Sequence, residues 1–405
     1  MRRRVLTYTV QDATISRADQ RGLLIAKSFY FIFFAAIGCI APFFNIYLDA
    51  QGLNGVQIGW LGSIPPLIAL VSNPFWGMVA DRWKAQRLVL SICALIAGWA
   101  SLFFLSVTEF WPIMAVVIVL FFFRAPIPAI LDSAVMAMVT RTGKTYGRQR
   151  LWGSVGFVLA SVGLGRVITA SQLDLIFWLH ALLLGGVLFV LTFMLPIERF
   201  TGNVNLLGGL AALSRQRSYV GFLLAMVMMG MASAGYINFL GLHIVALGGA
   251  NTLVGLAYAA SAVTEIPVMF LGARWFSKFS NAQLITIGMS IFIASWTMVG
   301  AMRSPWAAIG AAAMVGIGYG FFWVAVVGFA SESAPEGMRS TAQAIVGAAQ
   351  GGLGWGLGAL WAGFLWDWGG GSTVFWSSAT IVAVGLVIFR LGLRTTSRPA
   401  AHSAD

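Results

Sequence analysis

Four ionisable side chains stand inside otherwise apolar stretches: Arg124, Asp132, Arg150 and Glu265. An ionised group at the centre of a bilayer costs about 2.5–3.5 kcal/mol on insertion scales, so such groups face a cavity, a partner or a ligand. Asp132 precedes Arg150 by 18 residues, on consecutive apolar runs that would pack side by side. The pair either locks two helices together as a salt bridge or takes part in binding and coupling. Glu265 has no cation near it in sequence and is followed by Ile266-Pro267, whose proline cannot donate to the carbonyl four residues back. A carboxyl there either takes up and releases a proton or stays protonated in an interhelical hydrogen bond. Arg124 lies eight residues before Asp132, roughly 12 Å along a helix. It suits a carboxylate, because a guanidinium offers a bidentate fork; the alternatives are an acidic partner elsewhere or a place at the outer mouth.

Uncharged polar and aromatic residues accompany them. Asn45, Asn238, Tyr319, Trp323 and Gln350 are candidates for a solute-binding wall. The amides are the stronger ones, because an amide facing lipid is costly, whereas any single aromatic is as readily a packing or lipid-facing group. No catalytic or metal constellation joins them. His180, His243 and His402 are scattered, and Cys39 and Cys93 lie in apolar runs and read as small hydrophobes. Gly143-Lys144-Thr145 imitates the end of a phosphate-binding loop, but the required upstream glycine is Met138. No enzyme, no nucleotide-driven pump and no cofactor is expected.

The elements that must position these residues follow from composition. Of 405 residues, 59% are hydrophobic and 9% charged, against about 25% charged in soluble proteins. The mean hydropathy of +0.86 leaves too little polar surface for a water-facing coat. Apolar runs of spanning length cover 27–48, 57–80, 88–107, 111–139, 150–169 and 175–195, then 219–247, 253–274, 282–301, 306–331, 341–366 and 373–393. They are continuous rather than alternating, so helices are expected and a barrel is not. The reading is an all-α integral membrane protein of twelve transmembrane helices. Its parts are a tail over 1–26, a first six-helix unit over 27–195, a linker over 196–218, a second unit over 219–393 and a tail over 394–405.

An even number of spans places both termini on one side. Of the 25 Lys and Arg, 22 fall on the tails and loops of that side, leaving Arg124, Arg166 and Arg303. Positive loops face the cytoplasm, so the net charge of +12 reports orientation and gives no reason to expect nucleic acid. The two halves also echo each other. Gly59, Pro74 and Gly77-Met78-Val79-Ala80-Asp81-Arg82 match Gly255, Pro267 and Gly272-Ala273-Arg274. Gly147-Arg148 and Gly337-Met338-Arg339 both introduce glycine-rich runs. A duplication of six spans is the symmetry of a secondary transporter with its site between halves.

Gly77-Met78-Val79-Ala80-Asp81-Arg82-Trp83-Lys84-Ala85-Gln86-Arg87 resembles the signature loop of the major facilitator superfamily. Ala41-Pro42-Phe43-Phe44-Asn45, Asn73-Pro74-Phe75-Trp76-Gly77 and Tyr146-Gly147-Arg148-Gln149-Arg150-Leu151-Trp152-Gly153 resemble its lactose-permease-like proton symporters. Glu265-Ile266-Pro267 and Arg339-Ser340-Thr341-Ala342-Gln343 are more similar to the group containing phenylpropionate-type and nucleoside-type proton symporters. The resemblance implies two pseudo-symmetric six-helix bundles. It implies a pairing of Asp132 with Arg150 at the substrate site and a cavity lined by spans 1, 4, 7 and 10. It also implies a conformational gate at Gly77, Asp81, Arg82 and Arg87. The glycines at 347, 351, 352, 354, 356 and 358 offer small-residue faces for close packing or sliding. One departure is chemical: span 10 lacks the His and Glu of the lactose permeases and holds only Tyr319 as an ionisable group. The expected protein is a monomeric carrier in the cytoplasmic membrane. It would move a sugar, nucleoside or aromatic acid by alternating access, with a proton gradient as the driving force. Efflux, uniport and a non-transporting sensor remain alternatives.

Overall fold

The computed structural model describes residues 17–169, 172–196, 213, 216–275, 278–334 and 338–394. The basic cluster Arg2-Arg3-Arg4, most of the 196–218 linker, Gly337 and the 395–405 tail lie outside the described residues.

The described chain is helical throughout. In the first half α1 covers Arg17–Ile40, α2 Phe44–Ala50, α3 Gly55–Arg82, α4 Gln86–Ala100, α5 Phe110–Arg124, α6 Pro126–Thr142 and α7 Tyr146–Val167. The short helices α8 (Leu175–His180) and α9 (Phe189–Met194) are joined through a wide π-type stretch, Ala181–Leu188. In the second half α10 is Arg217–Ala246, α11 Asn251–Trp275, α12 Asn281–Ala301, α13 Ala307–Ser333, α14 Arg339–Gly347 and α15 Trp355–Arg394. A second π-type stretch, Ala348–Gly354, links the last two.

Among the described residues, nine helical stretches are long and apolar enough to cross a bilayer. Four of them merge separate α-helices: Arg17–Ala50, Phe110–Thr142, Leu175–Met194 and the 54-residue Thr341–Arg394. The last is more than twice the length one crossing takes, and it breaks at Gly370, whose φ of 69° no helix carries. The helices α7 and α11, with 22 and 25 residues, fall outside those nine; α7 carries Arg148, Arg150 and Arg166. The first helix begins at Arg17, ten residues ahead of the apolar run, and Asp19 on that extension pairs with Arg141 at the end of α6.

Starts and stops obey local chemistry. Asn54 caps α3 and Ser280 caps α12, each in a reciprocal box with the glutamine three residues on. Gly143 ends α6 in the left-handed region. Trp111, Trp306 and Trp368 are exposed at helix ends on the side away from Arg82 and Arg141, as interfacial tryptophans are. Cys39 and Cys93 are free and buried, in keeping with packing roles.

The two halves of the chain meet along two helix pairs, α3 on α15 and α7 on α11. Glycine allows both approaches. A Cβ on Gly59 would stand 2.6 Å from the Ala359 carbonyl oxygen, and one on Gly363 would meet the Gly55 carbonyl. The same end is hydrogen-bonded across the halves. Asp367 accepts from the Gly55 and Val56 amides at 2.6 and 2.8 Å. Thr252 donates to the Gly165 carbonyl at 2.9 Å and Asn251 to that of Ile168 at 3.4 Å. At the opposite end a Cβ on Gly77 or Gly347 would meet nothing within 4 Å.

Candidate functional site

Polar side chains gather at two levels between the halves. The first lies around a cavity of about 320 Å³. Its wall comes from the break between α1 and α2, the middle of α3, the end of α5, the middle of α10 and the π-type stretch before α15. Arg124, Asn45 and Asn238 supply the polar side chains of this wall, and Phe44, Phe121 and Trp355 supply rings. Asn45 donates to the Asn238 backbone carbonyl at 2.7 Å and to its side-chain oxygen at 3.1 Å, joining the two halves of the chain. Asn238 in turn donates to the Ala234 carbonyl at 2.9 Å.

Arg124 ends α5 because Pro126 follows. Pro126 and Pro128 have no amide to offer the Phe122 and Arg124 carbonyls. Ser72 of α3 supplies the hydroxyl that the Phe122 carbonyl lacks. The guanidinium lies over the Phe121 ring at 4.0 Å, and no carboxylate among the described residues stands within 4.0 Å of it.

The second level lies nearer the Arg82 and Arg141 loops. Asp132 accepts from Tyr30 of α1 at 2.5 Å and from Tyr146 of α7 at 3.0 Å, both on Oδ1. The tyrosine rings meet edge to face at 6.4 Å. The direct Asp132–Arg150 ion pair implied by the family resemblance does not form; no Arg150 nitrogen comes within 4.0 Å of the carboxylate. Two hydroxyls already hold the carboxylate. The guanidinium instead lies over Phe34 at 3.8 Å and 5.7 Å from the Tyr30 ring, a cation–π contact. Glu265 of α11 makes no hydrogen bond through its carboxylate among the described residues, and Arg150 is the cation whose field reaches it. Asp132, Arg150 and Glu265 thus form one electrostatic group across α6, α7 and α11, and Arg124 belongs to a separate one.

The other candidates are placed differently. Tyr319 packs edge-on against Phe292 at 5.1 Å and Trp323 is largely exposed; neither reaches the cavity wall. Gln350 is buried with its side-chain oxygen unpartnered, one residue from Gly351 of the wall. Of the α14–α15 glycines, Gly354 and Gly358 face the backbone of α10 in close packing, while Gly347 and Gly351 face open space. In the signature loop Gly77 is open, and Asp81 and Arg82 are exposed. Arg87 donates to the Leu195 carbonyl at 3.1 Å beyond the end of α9. His243 is satisfied by the Val299 carbonyl at 3.2 Å, but His180 is fully buried with both ring nitrogens unpartnered.

Sequence reading missed the roles of Tyr146, Ser72 and Asp367. Tyr146 carries a usable signal, since it stands four residues before Arg150 and so shares its helix face. Asp367 carries none, because its partners are backbone amides some 310 positions away.

A multi-pass helical membrane protein with a partly polar cavity between the halves of its chain has the build of a membrane carrier. The profile of the MFS_1 like family matches residues 23–377, and the chain belongs to that family of transporters. It is 28% identical over 377 residues to a maltose permease of Geobacillus stearothermophilus, covering 90% of this chain and 93% of the relative. It is 27% identical over 290 residues to a probable 3-phenylpropionic acid transporter of Escherichia coli (strain K12), covering 68% and 74%. Its fold matches the crystal structure of a mutant of the nucleoside transporter NupG with a TM-score of 0.82 at 17% identity, over 91% of this chain and 99% of the other. It also matches an inward-facing, unoccupied bacterial homologue of the human lysosomal transporter Spinster with a TM-score of 0.72 at 15% identity, over 96% and 100%.

Proposed function

We propose that this chain is a proton-coupled symporter of a small organic solute. In this reading it works by alternating access across the cytoplasmic membrane, with twelve passes and both termini inside. The observation that carries the reading is the union of one cavity with one-sided closure. The cavity takes wall residues from both halves of the chain. Hydrogen bonds join the halves at the Gly55–Asp367 and Gly165–Thr252 end, whereas at the other end a Cβ on Gly77 or Gly347 would meet nothing within 4 Å. A carrier resting open toward its basic loops would have this form. The cross-half bonds are the contacts that must break for the cavity to open the other way.

Glu265 is the group to which we assign proton uptake and release. It is partly sheltered, carries no hydrogen bond to its carboxylate among the described residues, and faces the Arg150 charge. Asp132, held by two tyrosines, sets the register of α1, α6 and α7 around it. The absence of an acid from the membrane-embedded part of α13 supports uniport as the second reading. The test is uptake into proteoliposomes under an imposed pH gradient, with maltose, uridine and 3-phenylpropionate as probes. Glu265→Gln is expected to abolish gradient-driven accumulation and to leave counterflow exchange intact. Accumulation that still follows the gradient in that variant overturns the coupling role and leaves uniport.

A further inference from the structure

The residues of the cavity wall separate the candidate solutes by charge. Resting on the carrier reading above, we infer that Arg124 is the anchor for the carboxylate of a small organic anion with an apolar body.

The Arg124 guanidinium has no carboxylate within 4.0 Å of it among the described residues. It is a permanent cation with five N–H donors in a fixed fork. It stands over the Phe121 ring in the cavity wall. A cation held among apolar groups without a counter-ion is costly. Where it faces a cavity, the cost is relieved by an anion entering that cavity.

The remaining polar groups point the same way. Beside Arg124 the wall holds two amide side chains, Asn45 and Asn238, and the indole of Trp355. Both Asn45 amide hydrogens are committed to Asn238, to its carbonyl and its side-chain oxygen, and one of the two Asn238 amide hydrogens to the Ala234 carbonyl. The charged donors on the wall are therefore those of Arg124, beside single neutral N–H groups on Asn238 and the Trp355 indole. Pro65 and Pro66 cannot supply amides to the Leu61 and Gly62 carbonyls, so those two acceptors and the Asn45 side-chain oxygen remain for a hydroxyl. A sugar presents many hydroxyls that each need donors and acceptors, and this wall has few of either. A carboxylate takes two parallel bonds from one guanidinium, and the rest of such a solute meets Phe44, Phe121 and Trp355. A volume of about 320 Å³ is at the small end for ligand sites, roughly 300–1,000 Å³.

The test uses purified full-length protein, thermal unfolding and counterflow in proteoliposomes. The probes are 3-phenylpropionate, its neutral amide 3-phenylpropionamide, hexanoate, maltose and uridine. At least one acid should raise Tm, and 3-phenylpropionamide should not. The acid-against-amide comparison needs no variant, so misfolding cannot confound it. Arg124→Gln should weaken acid binding by about 10- to 100-fold, the range for charge-assisted hydrogen bonds, and Arg124→Lys by less. Failure of both acids to bind overturns the inference. So does equal binding of acid and amide, or acid binding unchanged in Arg124→Gln. If maltose or uridine binds and exchanges instead, the anion assignment falls and the carrier reading stands. If an acid binds through Arg124 yet no labelled acid exchanges across the bilayer, the site stands and the carrier reading falls.

Discussion

Tyr30 and Tyr146 donate to the same oxygen of Asp132, while Arg150 lies flat on Phe34. A carboxylate fixed by neutral donors leaves its neighbouring guanidinium available to other acids, and Glu265 is the one in its field. In the symport proposed above, the tyrosines would act on coupling through Asp132 rather than by touching solute. Each bond to an ionised acceptor contributes about 1.5–3 kcal/mol. Tyr146→Phe is expected to slow counterflow about tenfold, with solute affinity at the Arg124 cavity little changed. A rate measured at saturating solute, set beside the thermal shift of the same variant, checks both halves of that statement.

At the scale of helices, the break in span 4 and the closure of α3 on α15 matter most. Pro126 divides α5 from α6, so Arg124 and Asp132 sit on different helical segments and serve different levels. The α3–α15 contact depends on small residues at Gly55, Gly59 and Gly363 and on the Asp367 carboxylate at the α3 N-terminus. A carboxylate there also meets the positive end of the helix dipole. Asp367→Ala removes both interactions, about 1–2 kcal/mol in favour of the closed end. Spin labels at Gln51→Cys and Ala250→Cys should then show a second, longer distance between the halves. Cys39 and Cys93 are buried and add little background. A single unchanged distance would mean that Asp367 is ornamental to closure.

For the molecule as a whole, the gathering of basic residues toward one end favours a cytoplasmic placement of that end. The segments carrying Lys84, Lys144 and Arg148 lie at the Gly77 end, and residues 51–54 at the Asp367 end. With cytoplasmic termini, a membrane-impermeant maleimide added to intact cells should label Gln51→Cys and spare Thr145→Cys, and a permeant one should label both. The reverse pattern would invert the topology and with it the direction in which the resting cavity faces.

Much of the fold was legible because a bilayer permits few solutions. Apolar runs must be helices, and prolines, glycines and caps mark where they bend and stop. The signature loop and the family resemblance were equally readable, since each lies in contiguous residues. The four embedded charges could be picked out for their cost alone. Their partnerships could not. Asp132 met two tyrosines rather than Arg150, and neither Tyr319 nor Trp323 lines the wall. Asp367 found amides at the far end of the fold. These outcomes depend on how distant helices rotate and approach. A side chain's partner in a low-dielectric interior is set by which group satisfies it at a few ångströms, a quantity sequence spacing does not contain. The sequence by itself determined a helical membrane carrier with charge at its centre. Tertiary structure alone decided that this charge is divided between the level of Asp132, Arg150 and Glu265 and a separate arginine in the cavity wall with no carboxylate beside it among the described residues.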